Sequence, residues 1–96
     1  MPSKEVLMLD LTGKVAIVTG STKGIGRAVA EHMLAAGAAV VVSSRTEAEV
    51  HEVAAQLGDR AMGIVCDVAD PDACQRLVDE TVARFGRIDV LVNNAG

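Results

Sequence analysis

Short apolar runs alternate along the chain with longer segments in which apolar residues recur every three or four positions. The runs are continuous rather than interrupted by polar residues, and most are rich in Val and Ile, which is typical of strands buried on both faces. They predict four strands, at 15–19, 39–43, 61–66 and 88–92. The helical spacing of the segments between them predicts three helices, at 25–36, 50–57 and 71–85.

The predicted helices have recognisable inner faces and one clear start. Ile25, Val29 and Met33 recur every four residues and are expected to form the buried face of the first helix. Asp70 can cap the third helix, and Pro71 suits its first position because the N–H that proline lacks is unpaired there in any helix. The expected inner face of the third helix consists of Cys74, Leu77, Val78, Thr81, Val82 and Phe85.

The order of elements indicates the fold class. Strands and helices that alternate with short links form right-handed βαβ units on a parallel sheet. Because the strands are apolar throughout, helices should cover both faces of this sheet. The sequence therefore predicts an α/β fold.

Composition and charge narrow the function. With 96 residues the chain is one domain or less, and its formal net charge of −4 argues against a nucleic-acid or anionic-membrane partner. No apolar run approaches the roughly 18 residues of a membrane span. The first residues also lack the apolar core and cleavage site of a secretory signal. We therefore expect a cytoplasmic protein.

The two cysteines, Cys66 and Cys74, do not have the paired spacing of a zinc site. In a protein without a secretory signal, thiols generally stay reduced. We expect buried thiols, with a disulfide or a metal role as the alternative.

The stretch "TGSTKGIG" places Gly20, Gly24 and Gly26 between the first strand and the first helix. In an open parallel sheet, ligands bind beyond the carboxyl ends of the strands, where a helix N-terminus favours a phosphate. Glycines let the backbone turn tightly and approach a pyrophosphate closely. The pattern predicts dinucleotide binding, and a simple tight turn is the alternative.

Three linked motifs give the chain a family resemblance: "LTGKVAIVTGSTKGIG", "CDVAD" and "DVLVNNAG". In their order and spacing, from Leu11 to Gly96, they resemble the N-terminal half of a short-chain dehydrogenase/reductase, whose fingerprint is T-G-x-x-x-G-x-G. The resemblance implies a Rossmann-type, three-layer α/β fold, incomplete here, with strand order 3-2-1-4 and three helices. Residues 1–96 would be the N-terminal part of a single NAD(P)-binding Rossmann domain, with 1–10 as a flexible leader. It also implies a homo-oligomeric full-length parent.

The resemblance also implies roles for individual residues. Asp67 and Val68 match the pair that contacts adenine, although Asp67 could instead cap the approach to the third helix. Asn94, Ala95 and Gly96 match the motif that closes over the ribose on the nicotinamide side, with a turn or a frayed terminus as the alternative. The phosphate turn corresponds to Gly20, Ser21, Thr22, Lys23, Gly24, Ile25 and Gly26.

The end of the second strand indicates which nicotinamide cofactor is preferred. An acidic residue at this point would bind the ribose 2′-hydroxyl of NAD(H), but Ser44 stands there and Arg45 follows it. A guanidinium can hold a 2′-phosphate with two N–H groups, and Lys23 would add a second cation. We expect NADP(H) to be preferred, with NAD(H) possible. The alternative is that both cations are solvated surface charges.

The catalytic Ser, Tyr and Lys that the family uses have no match, and the sequence contains no tyrosine. The first hypothesis is that the chain is the NADP(H)-binding portion of an oxidoreductase that transfers hydride between nicotinamide and a small ketone or alcohol. The second is a stand-alone nucleotide-binding module, and the third is a non-catalytic remnant. In all three cases we expect residues 1–96 alone to be inactive and to self-associate.

Overall fold

The structure is a computed structural model that describes residues 10–94. Of the predicted leader it therefore includes only Asp10, and Ala95 and Gly96 lie outside the described residues. The strands are β1 (Val15–Thr19), β2 (Ala39–Ser44), β3 (Ala61–Val65) and β4 (Val90–Val92). The helices are α1 (Gly24–Ala35), α2 (Glu47–Leu57) and α3 (Pro71–Phe85).

The four strands form one parallel sheet in the order β3-β2-β1-β4, which confirms the predicted topology. Thr19 at the end of β1 is paired with Ser43 of β2, and Ser43 is paired with Ile64 of β3. The carboxyl ends of the three strands therefore meet at one edge of the sheet.

Helices cover the two faces of the sheet unequally. Val40 and Val42 of β2 belong to an apolar cluster with Ala30 of α1 and Val53 of α2. Val41 points to the opposite face and packs with residues of α3. The predicted three layers are confirmed, with two helices on one face and one on the other.

The buried faces of two helices differ from the prediction. In α1 the buried residues are Gly26, Ala30 and Leu34, whereas Ile25 is 76% exposed. The reason is the close approach at Gly26, which requires the smallest residue to face the sheet. In α3 the buried residues are Ala73, Leu77 and Thr81, and both Val78 and Val82 are exposed.

Two elements also begin more than one residue away from their predicted positions. The α2 helix begins at Glu47, three residues before the first apolar residue of the predicted segment. The β4 strand pairs with β1 only from Val90, because the Asp89 side chain, rather than a main-chain carbonyl, accepts the hydrogen bond of the Val15 N–H. The Asp89 N–H donates to the Val15 carbonyl, and the Val15 N–H donates to Asp89 Oδ2, each at 2.8 Å. Hydrogen bonds from the Arg87 guanidinium, and then from the Val15 N–H, lower the pKa of the Asp89 carboxyl.

Candidate functional site

A cleft of about 450 Å³ lies beyond the carboxyl ends of β1, β2 and β3. This is where an open parallel sheet binds its ligands. Most of the residues predicted to form the site line it, and their role in binding stays a prediction. The lining residues are Gly20, Thr22, Lys23, Ser44, Arg45, Thr46, Glu49, Cys66, Asp67, Val68 and Asn94.

The glycine turn has a separate physical requirement at each glycine. Gly20 and Gly24 have φ values of +60° and +64°, a region that side-chain-bearing residues rarely adopt. A Cβ on Gly24 would meet nothing within 4 Å, so this backbone faces open space. A Cβ on Gly26 would lie 2.6 Å from Asn94 Nδ2 and would overlap the Gly20 carbonyl. Gly24 is thus required for its backbone conformation, whereas Gly26 allows α1 to pack against the turn.

The N-terminus of α1 is open towards an anion. Lys23 occupies the N-cap position, and in the described structure no side chain caps the helix there. The first turn of α1 contains no acidic residue. The first N–H groups of a helix have no partners within it and carry partial positive charge, so this end of α1 suits a phosphate.

The Ser21 side chain does not reach the cleft, although the segment around it was predicted to form the phosphate turn. It is fully buried, and its Oγ donates to the Val18 carbonyl at 2.6 Å and accepts from the Ser43 N–H at 2.9 Å. The Ser21 N–H also donates to the Ser43 carbonyl. Ser21 therefore fastens the glycine turn to β2. Gly24, Ile25 and Gly26 are also absent from the lining of the cleft.

The segment around Asn94 is tied to the start of the glycine turn by hydrogen bonds of Thr19 and Gly20. Thr19 Oγ1 accepts from the Asn94 N–H at 2.9 Å and donates to Asn93 Oδ1 at 3.1 Å. Asn94 Nδ2 donates to the Gly20 carbonyl at 3.2 Å. These contacts hold the end of β4 beside β1.

Asp67 has the local structural role that was the alternative prediction, and its contact with adenine stays a prediction. Its Oδ1 accepts from the Ala69 N–H at 2.9 Å, which shapes the turn before α3, and the residue still lines the cleft. The cap of α3 is Asp70, as predicted, with Oδ1 accepting from the Asp72 N–H. Val68 lines the cleft next to Asp67.

Both cysteines are free thiols. Cys66 is 3% exposed, and burial raises its pKa to about 11, helped by the neighbouring thiol of Cys74. At neutral pH Cys66 is therefore protonated, and it contributes a small apolar surface to the wall of the cleft.

Two positively charged side chains line the cleft. Lys23 and Arg45 are exposed cations, and neither forms an ion pair within residues 10–94, where the ion pairs join Arg27 to Glu31 and Arg87 to Asp89. Ser44 Oγ accepts from the Thr46 N–H at 3.2 Å, which places Arg45 in a tight turn at the end of β2. The two cations are therefore available to an anionic ligand.

Glu49 lines the cleft although it was not among the predicted site residues. It lies in the first turn of α2, and its Oε1 accepts from Thr22 Oγ1 at 3.1 Å. The available signal was its position five residues after Ser44, because a helix that starts just beyond a strand keeps its first turn near that strand's end.

No cluster of three potential metal ligands occurs within residues 10–94. None of the helices in this part of the chain has the length and apolar character needed to cross a lipid bilayer.

Comparison with known proteins identifies the family. Residues 14–96 match the family model of the short chain dehydrogenases. The chain belongs to this family. The fold agrees, since the crystal structure of a 3-ketoacyl-(acyl-carrier-protein) reductase from Brucella melitensis complexed with NADH superposes with a TM-score of 0.88 at 37% identity. That match covers 91% of this chain and 36% of the reductase.

Curated short-chain dehydrogenase relatives are similarly longer than this chain. The 3-oxoacyl-[acyl-carrier-protein] reductase FabG of Haemophilus influenzae is 44% identical over 90% of this chain and 36% of its own length. Tropinone reductase-like 3 of Erythroxylum coca is 45% identical over 97% of this chain and 37% of its own length. The chain thus spans a little over a third of these relatives.

Proposed function

We propose that this chain is the NADP(H)-binding portion of a short-chain dehydrogenase that transfers hydride between nicotinamide and a small ketone or alcohol. The observation that carries the proposal is the convergence, on one cleft, of the open N-terminus of α1 with Lys23 and Arg45, two cations without an ion pair within residues 10–94. The Brucella melitensis relative, whose structure contains NADH, supports a nicotinamide dinucleotide as the ligand.

The residues of the cleft suit successive parts of such a cofactor. The N–H groups at the start of α1 and the exposed backbone of Gly24 would hold the pyrophosphate. Asp67 can accept from the amino group of adenine, and Val68 can bound the ring. Asn94, with Ala95 and Gly96 beyond it, would close over the ribose on the nicotinamide side. When bound, the nicotinamide supplies the hydride chemistry, and the protein supplies binding and orientation.

The preference for NADP(H) follows from the end of β2. Ser44 carries no charge and is held by the Thr46 N–H, so it exerts no repulsion on a 2′-phosphate. Arg45 can donate two hydrogen bonds to that phosphate, and Lys23 lines the same cleft. Each charge-assisted hydrogen bond contributes roughly 1.5–3 kcal/mol.

In the protein at its natural length, NADPH is expected to bind at least about tenfold more tightly than NADH, and Arg45→Asp is expected to erase or reverse this preference. Titration calorimetry with both cofactors measures it. Arg76→Asp is the matched control because it makes the same change of charge on the exposed surface of α3. Equal dissociation constants for NADPH and NADH in the unaltered protein would contradict the assignment.

We also propose that residues 1–96 alone do not catalyse the reaction, because they contain no tyrosine or other evident proton donor for the carbonyl. Consumption of NADPH with a panel of ketones is expected to equal that of a blank without protein. Turnover that purifies with these residues and disappears in Gly20→Val would refute this, because that change disrupts a positive-φ turn at the cleft.

A further inference from the structure

One carboxylate stands among the groups that would meet a 2′-phosphate. Glu49 lines the same cleft as Ser44 and Arg45, although it belongs to α2 rather than to the turn that follows β2. Its position is fixed by the Thr22 hydroxyl, which donates to Oε1 at 3.1 Å. Thr22 is 9% exposed, so the donor is held within the glycine turn.

In the part of the chain that the structure describes, no ion pair neutralises the charge of Glu49. Within residues 10–94 it forms no ion pair with Lys23 or Arg45, although all three line the cleft. A carboxylate at this place repels a 2′-phosphate, which carries a negative charge of its own. It accepts a hydrogen bond, however, from a ribose hydroxyl, the group that NAD(H) presents at the same position.

We propose that Glu49 is a specificity-determining residue, which limits the preference for NADP(H) and preserves affinity for the dinucleotide that lacks the 2′-phosphate. The inference rests on the proposed function, because it assigns the adenosine end of the cofactor to this cleft. Thr22 is the positioning residue, since its hydroxyl holds the carboxylate towards the glycine turn.

The other acidic residues nearby do not both line the cleft and contact the glycine turn through the carboxylate. Glu47 lies in the first turn of α2 but does not line the cleft. Asp67 lines it from the end of β3, and one of its oxygens is already used by the Ala69 N–H. Glu49 alone, among residues 10–94, joins α2 to the glycine turn through its carboxylate.

The test uses adenosine 2′,5′-bisphosphate and adenosine 5′-monophosphate, which differ only in the 2′-phosphate, as probes of the protein at its natural length. Glu49→Gln keeps an oxygen that accepts from Thr22 but removes the charge. The affinity ratio of bisphosphate to monophosphate is expected to rise about tenfold. Glu52→Gln is the matched control, because this exposed residue of the same helix does not line the cleft and its ratio is expected to stay within about twofold of the unaltered protein.

Three outcomes separate this inference from the function on which it rests. An unchanged ratio in Glu49→Gln, with circular dichroism showing a folded protein and Arg45→Asp still lowering the ratio, overturns the role of Glu49 alone. If neither probe binds, or if Arg45→Asp also leaves the ratio unchanged, both the proposed NADP(H) site and the role of Glu49 fail.

The effect of Glu49→Gln should shrink as salt is added, because charges are screened over about 10 Å at 0.1 M. An effect independent of salt would overturn the electrostatic role.

Discussion

Replacement of Gly26 by alanine is expected to lower the affinity of the protein for NADPH by about tenfold or more. The added Cβ would overlap the Gly20 carbonyl and lie 2.6 Å from Asn94 Nδ2. The Gly20 carbonyl is part of the backbone of the glycine turn, so it cannot move away as the end of a flexible side chain could. Overpacking of this kind costs roughly 1–3 kcal/mol in stability and occasionally more. In this protein the strain falls on the two segments that line the cleft.

The clash should also break the hydrogen bond from Asn94 to the Gly20 carbonyl, which holds the end of β4 beside the turn. Calorimetry with NADPH and thermal melts of the protein at its natural length measure the two effects. Gly86→Ala is the control, because Gly86 has a φ of +83° with nothing within 4 Å of its added Cβ and lies at the far end of α3. It should lower the melting temperature but leave NADPH affinity near that of the unaltered protein. Binding by Gly26→Ala within about threefold of the unaltered protein would contradict the packing argument.

Residues 1–96 alone are expected to self-associate at micromolar concentration. The β4 strand forms one edge of the sheet, and Leu91 within it is 64% exposed. On the same side of the molecule, Leu91 and Val78 line an apolar groove of about 230 Å³. Val82 of α3 is also exposed, at 44%. Only α3 covers this face of the sheet within the described residues.

The exposed apolar surface is expected to lower the stability of residues 1–96 substantially. Apolar area left in contact with water forgoes about 25 cal/mol per Å² of stabilisation. A few hundred Å² would therefore remove most of the roughly 5–15 kcal/mol by which a typical domain is stable. An edge strand without lysine, proline or a bulge is also a template for pairing with a second chain. A dimer, a larger aggregate or a molten species is the expected form.

Sedimentation velocity and thermal melts of residues 1–96 test this expectation. Leu91→Lys should reduce association, because it places a charge on the exposed edge of the sheet. Ala55→Lys is the control, since it adds the same charge on the exposed face of α2, away from the groove. A monodisperse monomer that melts cooperatively above about 50 °C would show that the exposed face is tolerated.

The spacing of apolar residues and the capping residues along the chain predicted most of the strands and helices. The Val-rich strands β1 and β2 and the capped helix α3 begin and end within a residue or so of the positions predicted from apolar spacing, Asp70 and Pro71. The family resemblance supplied the strand order and most of the residues around the cleft. These features are readable because short-range hydrogen bonding and burial of neighbouring side chains determine them.

Tertiary contacts determined the rest. The rotation of α1, which exposes Ile25 and buries Gly26, results from the approach of the helix to the Gly20 carbonyl and Asn94, residues that the period of one helix cannot reveal. Ser21 turns inward because Ser43, 22 residues later, supplies its hydrogen-bond partner. Glu49 reaches the cleft because Thr22, 27 residues earlier, holds it there. Residue patterns along the chain were enough to predict most of the helices and strands and the glycine turn. The arrangement of the charged groups that share the cleft depends on packing between distant segments.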